Sequence, residues 1–468
     1  MTPITLDFSN MVMERLGANG IDADRLGGDL ADRFGSAHAS VESARRSGEM
    51  GFLELPYDAS AVRQVQELAD RMKGRFENLV IIGIGGSALG ARTLRDGLLG
   101  PLWNEQSSEE RAGRPRMYVL DNVDPGAVLD LVAHLDLGRT LFNVISKSGS
   151  TAETMALYLV IEGLLIEEVG TVEAVEHFVF TTDPTDGALR AIAETEGIET
   201  LPIPGNVGGR FSVLSPVGLF PAALVGLEVP ELLAGAARAD VYCRSPALQD
   251  NPAGLMATLL HTAHSESGAS IHVMMPYSER LRSFSFWFQQ LWAESLGKAH
   301  DRSGNVVHTG PTPLPAVGVT DQHAQVQLFI EGPLDKVVIF LALTGAGRDV
   351  PIGTHRASEP SVGYLGNHTL GQLMDAERHA TAEALRRMGR PNMTFEIERL
   401  DESALGELFM LMSVATVYAG ALYDVNPLDQ PGVELGKQLT YGLMGREGYD
   451  PPEPSDPDSR SWLAPPSL

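Results

Sequence analysis

Short apolar runs punctuate the first half of the chain, and each ends in a turn followed by residues with helical spacing. Leu79-Val80-Ile81-Ile82 stops at Gly83, Met117-Tyr118-Val119-Leu120 at Asp121, and Leu141-Phe142-Asn143-Val144-Ile145 at Ser146. His177-Phe178-Val179-Phe180 and residues 199–203 continue the series. Short, mostly apolar runs of this kind predict strands buried on both faces, and the helical stretches between them make the sheet parallel. Right-handed crossovers then wind helices over both faces and place ligands at the carboxyl ends of the strands.

The same grammar returns after a boundary expected near Pro230. Strands are expected at 271–275, 336–343 and 393–397, and helices at 280–294, 370–388 and 402–423. The order of elements repeats although the residues do not. The expected fold is α/β, with two doubly wound parallel-sheet domains of three-layer αβα type. A helical arm covers 1–60, the domains cover 61–230 and 231–425, and a C-terminal helix with a proline-rich tail covers 426–468. The segment 345–367, polar and rich in glycine, fits no element.

The strand at 141–146 opens onto Ser146-Lys147-Ser148-Gly149-Ser150-Thr151, and a helix is expected from there to about residue 169. An ordinary N-cap needs one hydroxyl. Here four hydroxyls and a lysine surround a helix N-terminus, whose free N–H groups and partial positive charge attract anions. The turn therefore reads as a phosphate cradle, with Ser146, Lys147, Ser148 and Thr151 as its donors.

A second turn, Gly83-Ile84-Gly85-Gly86-Ser87-Ala88-Leu89-Gly90, follows the first strand and satisfies the dinucleotide pattern G-x-G-x-x-[GA]. That pattern expects an acidic residue about 20 positions on, whereas Asp121 arrives 121 − 83 = 38 residues after Gly83. Backbone contact with a sugar at Gly86 and Ser87, dinucleotide binding, and a tight turn without a ligand all remain open at this point.

Composition narrows the partners. The 468 residues carry 35 basic and 61 acidic side chains, a net charge of −26, which disfavours nucleic acid and anionic membrane surfaces. The single cysteine, Cys243, excludes an intramolecular disulfide and fits a reducing cytoplasm. No apolar run approaches 18 residues, and the N-terminus lacks a basic stretch before an apolar one, so neither a membrane span nor a secretion signal is expected. His261 and His264 stand at i, i+3 spacing without a third ligand, so packed histidines are expected there and no metal site.

Four further motifs follow in order: Gly208-Gly209-Arg210-Phe211-Ser212; Gln290 to Lys298, with Glu294, Ser295 and Gly297; Thr320-Asp321-Gln322-His323-Ala324; and Asp429-Gln430-Pro431-Gly432-Val433-Glu434-Leu435-Gly436-Lys437. Together with the two turns, over roughly residues 79–437, this set resembles the glucose-6-phosphate isomerase family. The resemblance implies two sugar-isomerase (SIS) domains, a homodimer, and isomerisation of a sugar phosphate without a cofactor. It implies Glu294 as the base, His323 as the ring-opening group reaching into the partner's site, Lys437 as helper at the ring oxygen, and Arg210 as the cation facing the enediolate. Gly209, Gln290 and Gln430 join the substrate contacts. Serines stand in the cradle where relatives often place threonines, and hydroxyl donors survive the change.

An aldose–ketose exchange needs a proton moved between C1 and C2, hence one carboxylate base, a ring-opening group and a cation at the enediolate. A metal-dependent hydride shift would need a carboxylate and histidine cluster that the sequence does not offer. A non-catalytic sugar-phosphate-binding module would keep the cradle but would not need Arg210, Glu294, His323 and Lys437 together, and a dinucleotide enzyme would need a bound nicotinamide.

Overall fold

Apolar runs become strands because both their faces are covered. The structure, a computed structural model, describes residues 4–345 and 347–453. Residues 4–428 form one unit and residues 429–453 lie in another. In chain order the strands are β1 (Thr5–Asp7), β2 (Asn78–Ile82), β3 (Arg116–Leu120), β4 (Thr140–Ser146), β5 (Phe178–Thr182) and β6 (Glu199–Pro202). They continue as β7 (Ile271–Pro276), β8 (Lys298–His300), β9 (Val306–Thr309), β10 (Thr312–Pro315), β11 (Lys336–Leu343) and β12 (Asn392–Ile397).

The first sheet has the order β3-β2-β4-β5-β6 and is parallel throughout. The second has the order β1-β12-β11-β7-β10, parallel except for β1, which the N-terminal arm lays antiparallel against β12. Side chains alternate along each strand. Leu79, Ile81, Leu141, Ile145 and Val179 enter one core, while Val80, Ile82, Phe142, Val144, Phe178 and Phe180 enter another beneath the helices Ala152–Val169 and Ala188–Glu196. In the second sheet Met274, Ile339, Leu341 and Phe395 join the core of Leu79, whereas Val273, Met275, Val338 and Phe340 pack with Phe329 and Leu385 on the far side. Each sheet thus has two covered faces, and the two inner faces share a single core.

That shared core is organised around the helix Glu402–Leu422, which packs against Val229–Tyr242, Pro252–Ser267 and Asp29–Ser47. By length and composition this helix could cross a membrane, a property the sequence reading did not flag, yet 89 % of its apolar window is buried inside the protein. A helix apolar all round is what a core helix requires.

Several elements differ from expectation. β1, β10 and the hairpin β8–β9 are strands the apolar runs did not predict, and residues 301–305 turn that hairpin. β5 starts one residue later than expected, because the buried His177 ring turns aside to bond the Thr140 carbonyl (2.8 Å). The segment 345–367 is a connection between β11 and the helix Leu370–Arg387; within it, Gly363–Leu365 makes one 3-10 turn. In the second unit the expected C-terminal helix is Glu434–Leu443. The proline-rich tail falls outside the described residues from 454 onward, and Pro451, Pro452 and Glu453 are exposed coil.

Candidate active site

In the first sheet the chain leaves β2 for β3 on one side and returns to β4 on the other. This makes the crevice between the carboxyl ends of β2 and β4 the topological switch point, where open α/β sheets take their ligands. Both singled-out turns open there. After β2, Gly85 has a φ of +57°, and a Cβ on Gly86 would stand 2.2 Å from the Gly209 carbonyl carbon and oxygen. Glycine at 86 is therefore what lets the turn touch the backbone that carries Arg210. Ser87 is half-buried in the same turn.

After β4, Gly149 bends back at a φ of +62°, and the Ser146 and Thr151 hydroxyls meet at 3.0 Å. The Thr182 hydroxyl donates to the Ser146 carbonyl (2.7 Å) and the Ser150 amide to the Ser148 hydroxyl (3.3 Å). Thr151 occupies the N-cap of the helix Ala152–Val169, but its side chain makes no capping bond. The Ser146 and Thr151 hydroxyls thus meet each other, and the Thr151 side chain leaves the N–H groups of the helix N-terminus uncapped. Lys147 behaves otherwise: its ammonium donates to the carbonyls of Gly205 (2.6 Å) and Val207 (3.0 Å). Burial pulls its pKa below the ordinary lysine value, and the nearby Asp183 carboxylate opposes that shift. Lys147 ties the cradle to the loop that leads into the turn Gly209–Leu214.

Arg210 is the second residue of that turn and is 3 % exposed. Its Nε donates to the Ser295 hydroxyl (2.7 Å), its Nη2 donates to the Pro427 carbonyl (2.5 Å), and its Nη1 stands 3.6 Å from Glu294 Oε2. Glu294, 26 % exposed, lies near the C-terminus of the helix Arg282–Leu296. One turn earlier, the Gln290 amide donates to Glu294 (3.2 Å), and this amide closes over Gly85, where a Cβ would meet it at 2.7 Å. Among the described residues Gln290 Oε1 is buried and has no partner, an acceptor a bound hydroxyl would satisfy. The Lys298 ammonium ties down the end of this helix through the carbonyls of Glu294 and Ser295 (both 2.8 Å). The helix follows β7 of the second sheet, so the second half of the chain delivers a carboxylate and an amide to the crevice of the first.

The other expected residues lie on other elements. His323 is exposed in the first turn of the helix Thr320–Glu331, and its ring has no hydrogen bond or ion pair among the described residues. Gln430 and Lys437 belong to the second unit, where Lys437 is exposed and pairs with Glu434 (2.7 Å). Asp121, the acid a dinucleotide would need, is paired with Arg92 (2.8 Å). Among the described residues no group of three or more His, Cys, Asp or Glu side chains converges as metal ligands. The His264 ring bonds the Tyr423 hydroxyl (2.7 Å), and burial lowers the His261 pKa to about 4, so both are packed histidines. Ser295, Lys298 and the Pro427 carbonyl received no role from the sequence. Ser295 and Lys298 stood inside a quoted motif, but no spacing rule marks a serine as the acceptor for an arginine 85 residues away.

The chain matches a known family. Residues 64–359 and 363–448 fit the model of phosphoglucose isomerase. The chain belongs to the phosphoglucose isomerase family. Glucose-6-phosphate isomerase of Carboxydothermus hydrogenoformans is 42 % identical over 453 residues, 96 % of either chain. That of Rubrobacter xylanophilus is 41 % identical over 450 residues, 96 % of this chain and 100 % of the relative. Among solved structures, a hypothetical protein from Thermus thermophilus superposes with a TM-score of 0.83 at 40 % identity, covering 94 % of this chain and 100 % of its own. A glucose-6-phosphate isomerase from Chlamydia trachomatis superposes at 0.73 with 26 % identity, covering 82 % and 73 %.

Proposed function

We propose that this chain carries out the aldose–ketose isomerisation of its family, interconverting glucose 6-phosphate and fructose 6-phosphate by metal-independent proton transfer through an enediol. One observation carries the reading: a buried guanidinium, a partly buried carboxylate and an amide whose acceptor is unused among the described residues meet at the switch-point crevice beside a hydroxyl-lined turn. Glu294 takes the proton from one carbon and returns it to the other. Arg210 faces the negative charge that grows on the enediolate oxygen, an interaction stronger in the transition state than in the substrate. Gln290 orients the carboxylate and accepts from a sugar hydroxyl. Gly86, Ser87 and Gly209 let backbone approach the sugar. Ser146, Ser148, Thr151 and the helix N-terminus at 152 take the phosphate, with Lys147 held at the cradle's flank.

The ring-opening role of His323, the ring-oxygen role of Lys437 and the substrate contact of Gln430 belong to the same proposal. His323 is assigned to the site of the partner in a cytoplasmic homodimer, which accords with its exposed position. The division into domains 61–230 and 231–425, with an arm at 1–60 and a C-terminal segment at 426–468, is proposed on the ground that each domain span carries one sheet's parallel strands. The test is incubation with fructose 6-phosphate and EDTA, without nucleotide. Glucose 6-phosphate should accumulate to equilibrium; activity that vanishes with EDTA and returns with a divalent ion would overturn the mechanism.

A further inference from the structure

We infer that Ser295 is a positioning residue for the isomerisation: its hydroxyl, with the Pro427 carbonyl, fixes the Arg210 guanidinium so that Nη1 meets Glu294. The inference rests on the proposed roles of Arg210 and Glu294 and adds what holds them in register. Ser295 is fully buried (0 % exposed). Its Oγ accepts from Arg210 Nε at 2.7 Å, and Pro427 O accepts from Nη2 at 2.5 Å.

A guanidinium is rigid and planar, so engaging Nε and Nη2 at fixed points sets the plane and aims Nη1. The aim falls on Glu294 Oε2, 3.6 Å away. Ser295 is the next residue after Glu294 on the same helix, so the base and the anchor of its cation cannot drift apart. Lys298 locks the pair by binding both of their carbonyls at 2.8 Å. Ser295 has no access to the crevice of its own and acts through Arg210. Without its hydroxyl, one of the points that set the guanidinium plane is lost, while the charge of the site and the phosphate cradle are unchanged. Transition-state stabilisation should then suffer more than substrate binding.

The experiment is a double-mutant cycle on the full chain with fructose 6-phosphate, using Ser295→Ala, Arg210→Met and the pair. Ser295→Ala should lower kcat by about 10²-fold, the scale of a small misplacement, with KM within about threefold of wild type. The pair should be no slower than Arg210→Met alone, because no guanidinium remains to be held. Ser295→Cys, near in size but a weak acceptor, should reproduce the kcat loss; it serves as the reporter if Ser295→Ala fails to fold. Turnover of both serine variants within twofold of wild type, or a loss that multiplies in full on top of Arg210→Met, overturns the inference. Arg210→Met turning over like wild type would remove the enediolate cation from the mechanism and Ser295 with it. An impaired Arg210→Met beside unimpaired serine variants overturns the role of Ser295 alone.

Discussion

At the carboxyl edge of the first sheet, β2 and β4 run into turns rich in glycine and serine. At the same edge of the second sheet, the neighbouring strands β7 and β11 run into Tyr277-Ser278 and Thr344-Gly345. Both places are switch points of the same winding. The first is lined by glycines that bring backbones close and by hydroxyls that face one another. The second is filled, because the Tyr277 ring packs on Phe340 and covers Gly318 while its hydroxyl donates to Gln322 (2.8 Å). What the second sheet gives instead is the helix Arg282–Leu296, which carries Gln290 and Glu294 across to the first crevice. A topology does not by itself make a site; on the proposed roles, the same winding serves here once as receptacle and once as the source of the reacting group.

If that division of labour is right, the largest loss follows from the reacting group. Glu294→Gln keeps the size but cannot accept a proton, and positioned general bases contribute roughly 10²–10⁴-fold. Turnover should fall by that factor in a steady-state assay while a substrate-like phosphate still binds; turnover within threefold of wild type would remove Glu294 as the base. Next comes the receptacle. Replacing Ser146, Ser148 and Thr151 together with alanine removes three hydroxyl donors, each worth about 1.5–3 kcal/mol to a charged acceptor with poor additivity. KM should rise by at least about tenfold with the thermal midpoint little changed. An unmoved KM would place the phosphate elsewhere.

Smaller in size, but specific to the shared site, is complementation. Glu294→Gln and His323→Ala should each be inactive alone, and mixing with subunit exchange should restore about a quarter of wild-type activity. Half of a random mixture is heterodimer, with one of two sites intact, on a two-fold interface. Exchange confirmed by mass without recovered activity would make His323 act within its own chain. The smallest effect is expected at the filled switch point: Thr344→Val, whose hydroxyl reaches only the Ile397 carbonyl at 3.4 Å, should leave kcat and KM within twofold. A large rise in KM there would erase the contrast between the two edges.

Legibility in the sequence followed burial. The interior strands β2, β4, β7, β11 and β12 are covered on both faces and read as apolar runs, and β11 occupies the residues expected of it. The strands that escaped notice lie at edges or outside the sheets. β10 carries Pro313 and Pro315, tolerable only at an edge; β1 has three residues, and β9 is largely exposed. At the proposed site, the cradle, Arg210 and Glu294 stand in motifs because the chemistry proposed for them is local or familiar. The anchoring of Arg210 by Ser295 and Pro427 was not readable, because it joins residues far apart in sequence. Nor does residue type reveal that Lys147 spends two donors on the carbonyls of Gly205 and Val207.

The central claim, proton transfer by a carboxylate in a crevice without a metal, is tested most directly by isotope. Fructose 6-phosphate is converted in D₂O with EDTA present, and the glucose 6-phosphate formed is analysed at C2. A proton held on Glu294 during the enediol's lifetime can exchange with solvent, so deuterium should be carried into C2 at undiminished turnover. Full turnover with no deuterium at C2, even after prolonged equilibration through many forward and reverse passages, would mean that hydrogen passes directly between the carbons, and would contradict the account.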